Sequence, residues 1–480
     1  MNNWLLRIPQ KYWAYLALLF WGIVCLMLLN KSSYGVDEGG AQALLLTWSV
    51  ADNVVSSIVT LGLPDFRAVF LAPVGFLWTG NVLAAKIFTI LVMSGAAWAF
   101  HSWRRRSGDS EGALLATGLL LISPLVLDQI DTVSVAPYLL ITFALGAWSD
   151  QIYRESPQAF GGMYFAQLFL CLVSITLHPA GLAYPLVLLW TWYKDPLNKQ
   201  QQKYFIGGIA FTVLLALILT LGWNHVEWFA NPMKGLSSVL LGPADSEGFG
   251  TSRWFGGIGM LIVLLWVIWK QASIIWTDFL GRIFLAALCI GMLVGDETLG
   301  MITLVICLYW GLPLLLQNQT PSDGGFWHQR GVVLVLIVVL STTFMMIDKA
   351  RYQNALMGQI APSDRLIKAF VENIEDLPSD AHKQNSPAGK PMRIASQWPA
   401  RTMLVCRCDT LALPPSAKDG QALFAMLRGV NYLIFDPRDP ANHSLSHNLA
   451  LMDPGKVETI ALQQGGVIVE IKQPKPAQKQ

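Results

Sequence analysis

Tyr34-Gly35-Val36-Asp37-Glu38-Gly39-Gly40-Ala41 places two adjacent carboxylates directly after the first apolar run of the chain, Tyr12–Leu29. Acids beside a bilayer are costly unless solvated or paired, so they are candidates for function by default. The run before them follows Arg7 and Lys11. It is too long for a signal-peptide core, and no Ala-x-Ala-like cleavage site follows at Asn30-Lys31-Ser32-Ser33. It reads as a retained first membrane helix.

Composition agrees. Of 480 residues, 54% are hydrophobic before the 40 glycines are counted, and 13% are charged, about half the ~25% of an ordinary soluble domain. A water-soluble globule has too little interior for that much apolar side chain. The 33 basic residues nearly cancel the 31 acidic ones. No basic stripe interleaved with aromatics stands out, which argues against nucleic acid as a partner. Cys25, Cys171, Cys289 and Cys307 lie singly in apolar runs. Cys406 and Cys408 form a lone Cys-x-Cys without the second pair a zinc site would need.

A helix needs about 20 mostly apolar residues to cross the hydrocarbon core. Runs of this kind fall at 12–30, 82–101, 112–127, 133–150, 162–177, 182–193, 204–222, 254–269, 283–294, 301–317 and 331–347, eleven in all and nearly free of charge. With the N-terminus inside, twelve Lys and Arg fall in inner segments, among them Arg104-Arg105-Arg106, Lys194, Lys199 and Lys203. Only Lys31, Arg67, Lys234 and Arg253 fall in outer connections. That asymmetry orients the chain with its C-terminal segment outside. It also decides 41–60, since a crossing there would move the arginine cluster outside. This stretch is expected to be a helix lying in the outer interface, with Asp52 toward water. The 162–193 region is expected to be a helix pair joined by a turn at His178-Pro179-Ala180-Gly181.

Beyond residue 347 charges and prolines become frequent, and 348–480 reads as a small soluble α/β domain. Helical patterns occur at 363–376 and 418–428. Strand-like runs occur at Met403–Arg407, Tyr432–Asp436, Val457–Leu462 and Gly466–Lys472. The fold class expected is a polytopic α-helical membrane domain over 1–347 with an α/β domain over 348–480.

The outer loops, 31–81, 128–132, 178–181 and 223–253, hold the specific residues. Leu127-Asp128-Gln129-Ile130-Asp131-Thr132 again sets two carboxylates at the outer face, and the next outer turn carries His178. The long fourth loop is aromatic, with Trp223, His225, Glu227, Trp228, Asp245, Glu247, Arg253 and Trp254. Most of the tryptophans sit near span ends, where an interfacial belt accounts for them. Trp223, Trp228 and Trp254 in the fourth loop are the candidate exceptions to that belt.

This layout resembles the GT-C superfamily of integral membrane glycosyltransferases, above all the bacterial aminoarabinose-transferase and protein O-mannosyltransferase type. There an Asp-Glu motif follows the first span, opens an interfacial helix, and leads through a proline-containing segment into the second span. The counterparts here are Asp37-Glu38, then 41–60, then Leu63-Pro64-Asp65-Phe66-Arg67 through Pro73. The second acidic site matches Asp128 or Asp131. Two features depart from the pattern. Arg67 and the single Pro73 stand where many relatives have a basic residue before a double proline, and His178 replaces the basic residue of the third turn.

The resemblance implies a sugar donor carried on a polyprenyl phosphate and an envelope glycan, lipid or protein as acceptor. The reaction would take place at the periplasmic face of a bacterial inner membrane, with inversion at the sugar. The anomeric carbon is attacked as the phosphate leaves, through an oxocarbenium-like state. A carboxylate near the acceptor takes its proton, and cations offset the charge building on the phosphate. Asp37 is the expected base, with Glu38 holding the helix or the acceptor and Asp128 or Asp131 as second acid. Arg67, His178 and Arg253 are the phosphate-side candidates, with Tyr34 and Trp228 lining the substrate. No cofactor is fixed by the sequence; a divalent cation would find Asp37, Glu38, Asp128 and Asp131 if these converge. A transporter or flippase, or a non-enzymatic envelope assembly protein, are the rival readings. The first would call for ionisable groups at the bilayer midplane.

Overall fold

The computed structural model describes residues 10–29, 33–51, 67–106, 110–155, 161–194, 199–219, 251–294, 298–312, 362–373, 392–414, 417–453, 455–461 and 466–472. In chain order the helices begin with α1 (Gln10–Leu28), α2 (Glu38–Ala51), α3 (Arg67–Leu77), α4 (Val82–Arg106), α5 (Ser110–Ile122) and α6 (Pro124–Asp131). They continue with α7 (Val135–Glu155), α8 (Gly162–Leu177), α9 (Ala183–Lys194), α10 (Lys199–Leu219), α11 (Thr251–Thr277), α12 (Phe279–Val294) and α13 (Thr298–Ile306). The C-terminal elements are α14 (Pro362–Asn373), β1 (Arg393–Ser396), α15 (Pro399–Cys406), β2 (Asp409–Ala412) and α16 (Gly420–Met426). They end with β3 (Tyr432–Phe435), α17 (His443–Ala450), β4 (Val457–Ala461) and β5 (Val467–Ile471). Two compact units result: Met1–Leu29 with Ala84–Tyr352, and Asn30–Leu83 with Gln353–Gln480.

The first unit is helical. Buried hydroxyl pairs tie its helices together where apolar packing alone is unspecific. Thr89 on α4 lies 2.8 Å from the Tyr138 hydroxyl on α7, and Thr117 on α5 lies 2.9 Å from the Tyr309 hydroxyl. The indole of Trp21 donates to the Leu121 carbonyl at 2.6 Å, fixing α1 against α5. Leu19, Phe20, Phe211, Ile262, Leu265 and Trp269 face outward. Apolar side chains turned outward on successive helices suit lipid rather than water.

Among the described residues, Val82–Arg105 and Ile258–Thr277 are each long and apolar enough to cross a membrane. Over the run expected as one span at 112–127 lie two helices, α5 and α6, which together are long and apolar enough for one broken span and whose axes differ by 58°. The break falls at Ser123-Pro124, where the proline lacks the N–H that would continue the ladder. Shorter apolar helices, Leu18–Met27, Gly162–Leu177, Gln202–Ile218, Phe279–Val294 and Thr298–Gly311, fall on the expected runs 12–30, 162–177, 204–222, 283–294 and 301–317, and α7 and α9 overlap those at 133–150 and 182–193. The run 331–347 lies outside the described residues, as do Asp52 and the rest of 52–66. The helix pair over 162–193 is present, with a 3₁₀ turn at Pro179–Leu182 between α8 and α9.

The second unit pairs α2 with α3 and lays α15 on α2. Its sheet has the order β2-β1-β3-β5-β4. β1 runs parallel to β2 and β3, and β5 runs antiparallel to β3 and β4. Alternate strand residues feed two cores. Ala395, Leu433, Phe435 and Val469 meet Leu423, Leu445 and Leu449 from the α16–α17 side. Ile394, Ile434 and Ile468 meet Leu366 and Phe370 of α14 and Cys406 at the end of α15. The expected strand at Met403–Arg407 is a correction: those residues form the second half of α15 and its cap. Pro399 sits at the helix start, where its missing N–H costs nothing. Arg407, at φ 57°, closes the helix in the left-handed conformation.

Candidate active site

The acidic motif falls in the second unit, at the start of α2. Asp37 caps that helix. Its carbonyl accepts from Ala41 N at 3.0 Å, and its Oδ1 accepts from the Gly40 amide. This is the usual use of an Asp just before a helix, since it satisfies amides that have no partner within the helix. The same carboxylate takes Arg67 Nη1 at 2.9 and 3.0 Å. The Arg67 side chain, at the first residue of α3, is 8% exposed, and that of Asp37 27%. A buried cation thus presents a partly open acid.

Glu38 points elsewhere. Its Oε1 accepts from Ala400 N at 2.6 Å and its Oε2 from Arg401 N at 3.2 Å, both at the first turn of α15. Burial raises its carboxyl above the usual range. The two amides and the Arg401 charge oppose that shift, and Asp37 adds to it. On the other side of the loop, Gly35 N donates to Asp364 Oδ2 at 2.9 Å. Gly35 has φ 86°, a conformation that favours glycine. Asp364 is buried, and its Oδ1 takes Arg401 Nη2 at 2.5 Å. Tyr34 is half-buried beside this cluster. Burial, followed by the charges of Glu372 and Asp364, raises its phenol.

The second acidic site lies in the first unit. Asp131 ends α6, and its Oδ1 accepts from Lys86 Nζ at 3.0 Å. The Lys86 side chain is 0% exposed and that of Asp131 32%. This repeats the arrangement of Arg67 and Asp37. Val133, at φ 55°, turns the chain out of α6 toward α7. Asp128 is on α6, with its side chain outside the described residues. His178 starts the 3₁₀ turn between α8 and α9, and its Nδ1 accepts from Ala180 N at 3.1 Å. Arg253 is in the first turn of α11, with its side chain outside the described residues. Trp228 lies outside them altogether. Among the described residues, no three His, Cys, Asp or Glu side chains gather as a metal site.

Three residues of these clusters were not singled out by the sequence reading: Lys86, Asp364 and Arg401. Lys86 carried a signal, being a lysine inside an apolar run, and such residues are functional candidates. Asp364 and Arg401 carried none.

No protein-family model and no curated protein matches the chain. Among solved structures it is similar to ArnT from Cupriavidus metallidurans bound to undecaprenyl phosphate. The TM-score is 0.53 at 13% identity, over 95% of this chain and 97% of that one. The chain shares the fold of that structure. Archaeal oligosaccharyltransferase AglB from Archaeoglobus fulgidus, in complex with an inhibitory peptide and a dolichol-phosphate, aligns at TM-score 0.47 and 12% identity, over 98% of this chain and 75% of that one. Arabinofuranosyltransferase AftD from Mycobacteria aligns at 0.45 and 13%, over 97% and 40%.

Proposed function

We propose that this protein transfers a sugar from a polyprenyl-phosphate donor to an envelope glycan, lipid or protein. The observation that carries the reading is the Asp37–Arg67 pair at the start of α2, in a chain that shares the fold of ArnT. An acceptor hydroxyl attacks the anomeric carbon as the bond to the phosphate oxygen breaks. The electron pair leaves with the polyprenyl phosphate, and the acceptor proton passes to Asp37. Arg67 Nη1 holds that carboxylate in place at 2.9 and 3.0 Å. Attack opposite the leaving group inverts the anomeric centre.

Asp131, or Asp128 three residues earlier, is the second acid. Arg67, His178 and Arg253 are the candidates for offsetting charge on the phosphate, and Lys86 joins them. Tyr34 and Trp228 are assigned to substrate binding. The donor's tail stays in the bilayer, because withdrawing it costs about 0.8 kcal/mol per CH₂. The membrane part, 1–347, crosses eleven times from a cytoplasmic N-terminus. Residues 348–480 form a periplasmic domain, in keeping with the distribution of Lys and Arg. Similarity of fold to ArnT, solved with undecaprenyl phosphate, supports the donor class.

The test compares cells expressing wild-type protein with cells expressing Asp37→Asn at matched levels, with envelope lipids, glycans and surface proteins read by mass spectrometry. A product lacking one sugar mass in the variant is expected and would identify both the transferred group and the acceptor. Unchanged products would remove Asp37 as base.

A further inference from the structure

Open α/β sheets receive ligands at the carboxyl ends of parallel strands, where the connections leave for opposite faces and a helix N-terminus offers its amides. The sheet of the second unit has such a point. β1 and β3 are parallel neighbours. The chain after β1 enters α15 on the face that holds Cys406, whereas the chain after β3 enters α17 on the opposite face. At the start of α15 the amides of Ala400 and Arg401 are engaged, and their acceptor is Glu38, from 362 residues earlier in the chain.

The hold on this loop is not a single contact. Asp364 takes the Gly35 amide, and the α15 amides take the Glu38 carboxylate. Arg401 links the two anchors by donating through Nη2 to Asp364 Oδ1 at 2.5 Å and to Ser363 Oγ at 2.9 Å. The far end of α15 also meets α2, since the Arg407 guanidinium lies 4.7 Å from the centre of the Trp48 ring. Asp37 stands between the two anchored residues, with its carboxylate directed instead at Arg67.

We infer that Glu38, Asp364 and Arg401 are positioning residues, through which the C-terminal sheet domain sets the Asp37 carboxylate for reaction. Glu38 is then the domain's built-in ligand rather than a second acid for the acceptor. The domain's contribution to transfer is to hold one loop still. The inference rests on the reading of Asp37 as the base. Its expected size follows from the sensitivity of proton transfer to geometry, where a misplacement of 1 Å costs on the order of 10²-fold.

The experiment uses the full-length protein in detergent and in cells, with Arg401→Ala, Arg401→Lys, Asp364→Asn and Asp37→Asn. Hydrogen exchange of the peptide spanning 33–41 reports the loop without reference to any substrate. Mass spectrometry of the envelope product reports transfer. Arg401→Ala and Asp364→Asn are expected to speed exchange in that peptide and to lower product by about tenfold or more. Exchange in 82–106 should stay at the wild-type rate, and Arg401→Lys should recover much of both losses. Wild-type product from a chain whose 33–41 peptide exchanges faster would overturn the inference, as would unchanged exchange in both variants. Should Asp37→Asn keep full activity, the reading of the base falls first. Should Asp37→Asn be inactive while Arg401→Ala transfers normally, only the positioning role is lost.

Discussion

Arg67 meets Asp37 with the cation buried and the acid partly open, its Nη1 lying 2.9 Å from Oδ1. Removing either partner therefore has unequal consequences. Asp37→Asn removes a charge that faces a buried guanidinium, whereas Arg67→Met leaves a carboxylate that water can reach. Breaking a buried pair from one side costs about 3–5 kcal/mol, and the exposure of Asp37 places Arg67→Met below that range. Thermal unfolding in detergent should show Asp37→Asn as the less stable of the two. The double variant should recover part of the loss while remaining inactive. On the proposed role of Asp37 as base, its replacement should cost roughly 10²–10⁴-fold in rate.

The same asymmetry is stronger at Lys86 and Asp131, where the ammonium is 0% exposed. Asp131→Asn should lower the unfolding temperature more than Lys86→Met does, because the methionine stem fills the same space without a charge. Equal shifts in a matched thermal scan would mean that the pair contributes nothing through its charge.

Glu38 gives a pH dependence whose sign can be worked out. Burial raises its carboxyl in the folded protein above the ordinary glutamate value of about 4.5. The folded state then holds this proton more tightly than the unfolded chain. Its contribution to stability is fully present at pH below about 4.5 and is lost as pH rises through the raised folded value. Glu38→Gln has no such proton. The unfolding temperature of the variant, measured relative to wild type, should climb across the window above pH 4.5 and then level off. A difference that falls with pH would contradict the assignment.

Two glycines separate close packing from open space. A Cβ at Gly181 would run into the backbone of Ser174, and no rotamer can relieve that collision. A Cβ at Gly300 meets nothing within 4 Å. Gly181→Ala should distort the turn that carries His178 and reduce the yield of folded protein. Gly300→Ala, inside α13, should be neutral or stabilising by up to about 1 kcal/mol. Size-exclusion profiles and thermal scans of the two variants provide the comparison.

The membrane part and the acidic motif were legible because both are local. Apolar runs announce helices, and Asp37-Glu38 stands where one such run ends. The cap at Asp37 was within reach for the same reason, as Asp before a helix is a preferred type. Lys86 was lost inside an apolar run that reads as a span on hydropathy alone. The segment Met403–Arg407 reads as a strand because Met-Leu-Val-Cys is short and β-favouring. Pro399 at the helix start and packing against α2 override that preference. β1 and β2 are four residues each, too short for alternation to show. The pairing of Glu38 with Ala400 leaves no trace in composition or spacing, since backbone amides at a helix start look alike in every sequence.

The order of synthesis gives that pairing a consequence for how the protein matures. Glu38 leaves the ribosome 362 residues before the amide that anchors it. Every acid of the candidate site is made in the first third of the chain, yet the loop bearing two of them gains its support only when the last quarter has folded. A truncated or stalled chain would thus carry the acids without the brace. On the positioning role proposed above, competence for reaction waits on the folding of α14 and α15, much as an arch bears no weight until its keystone is set.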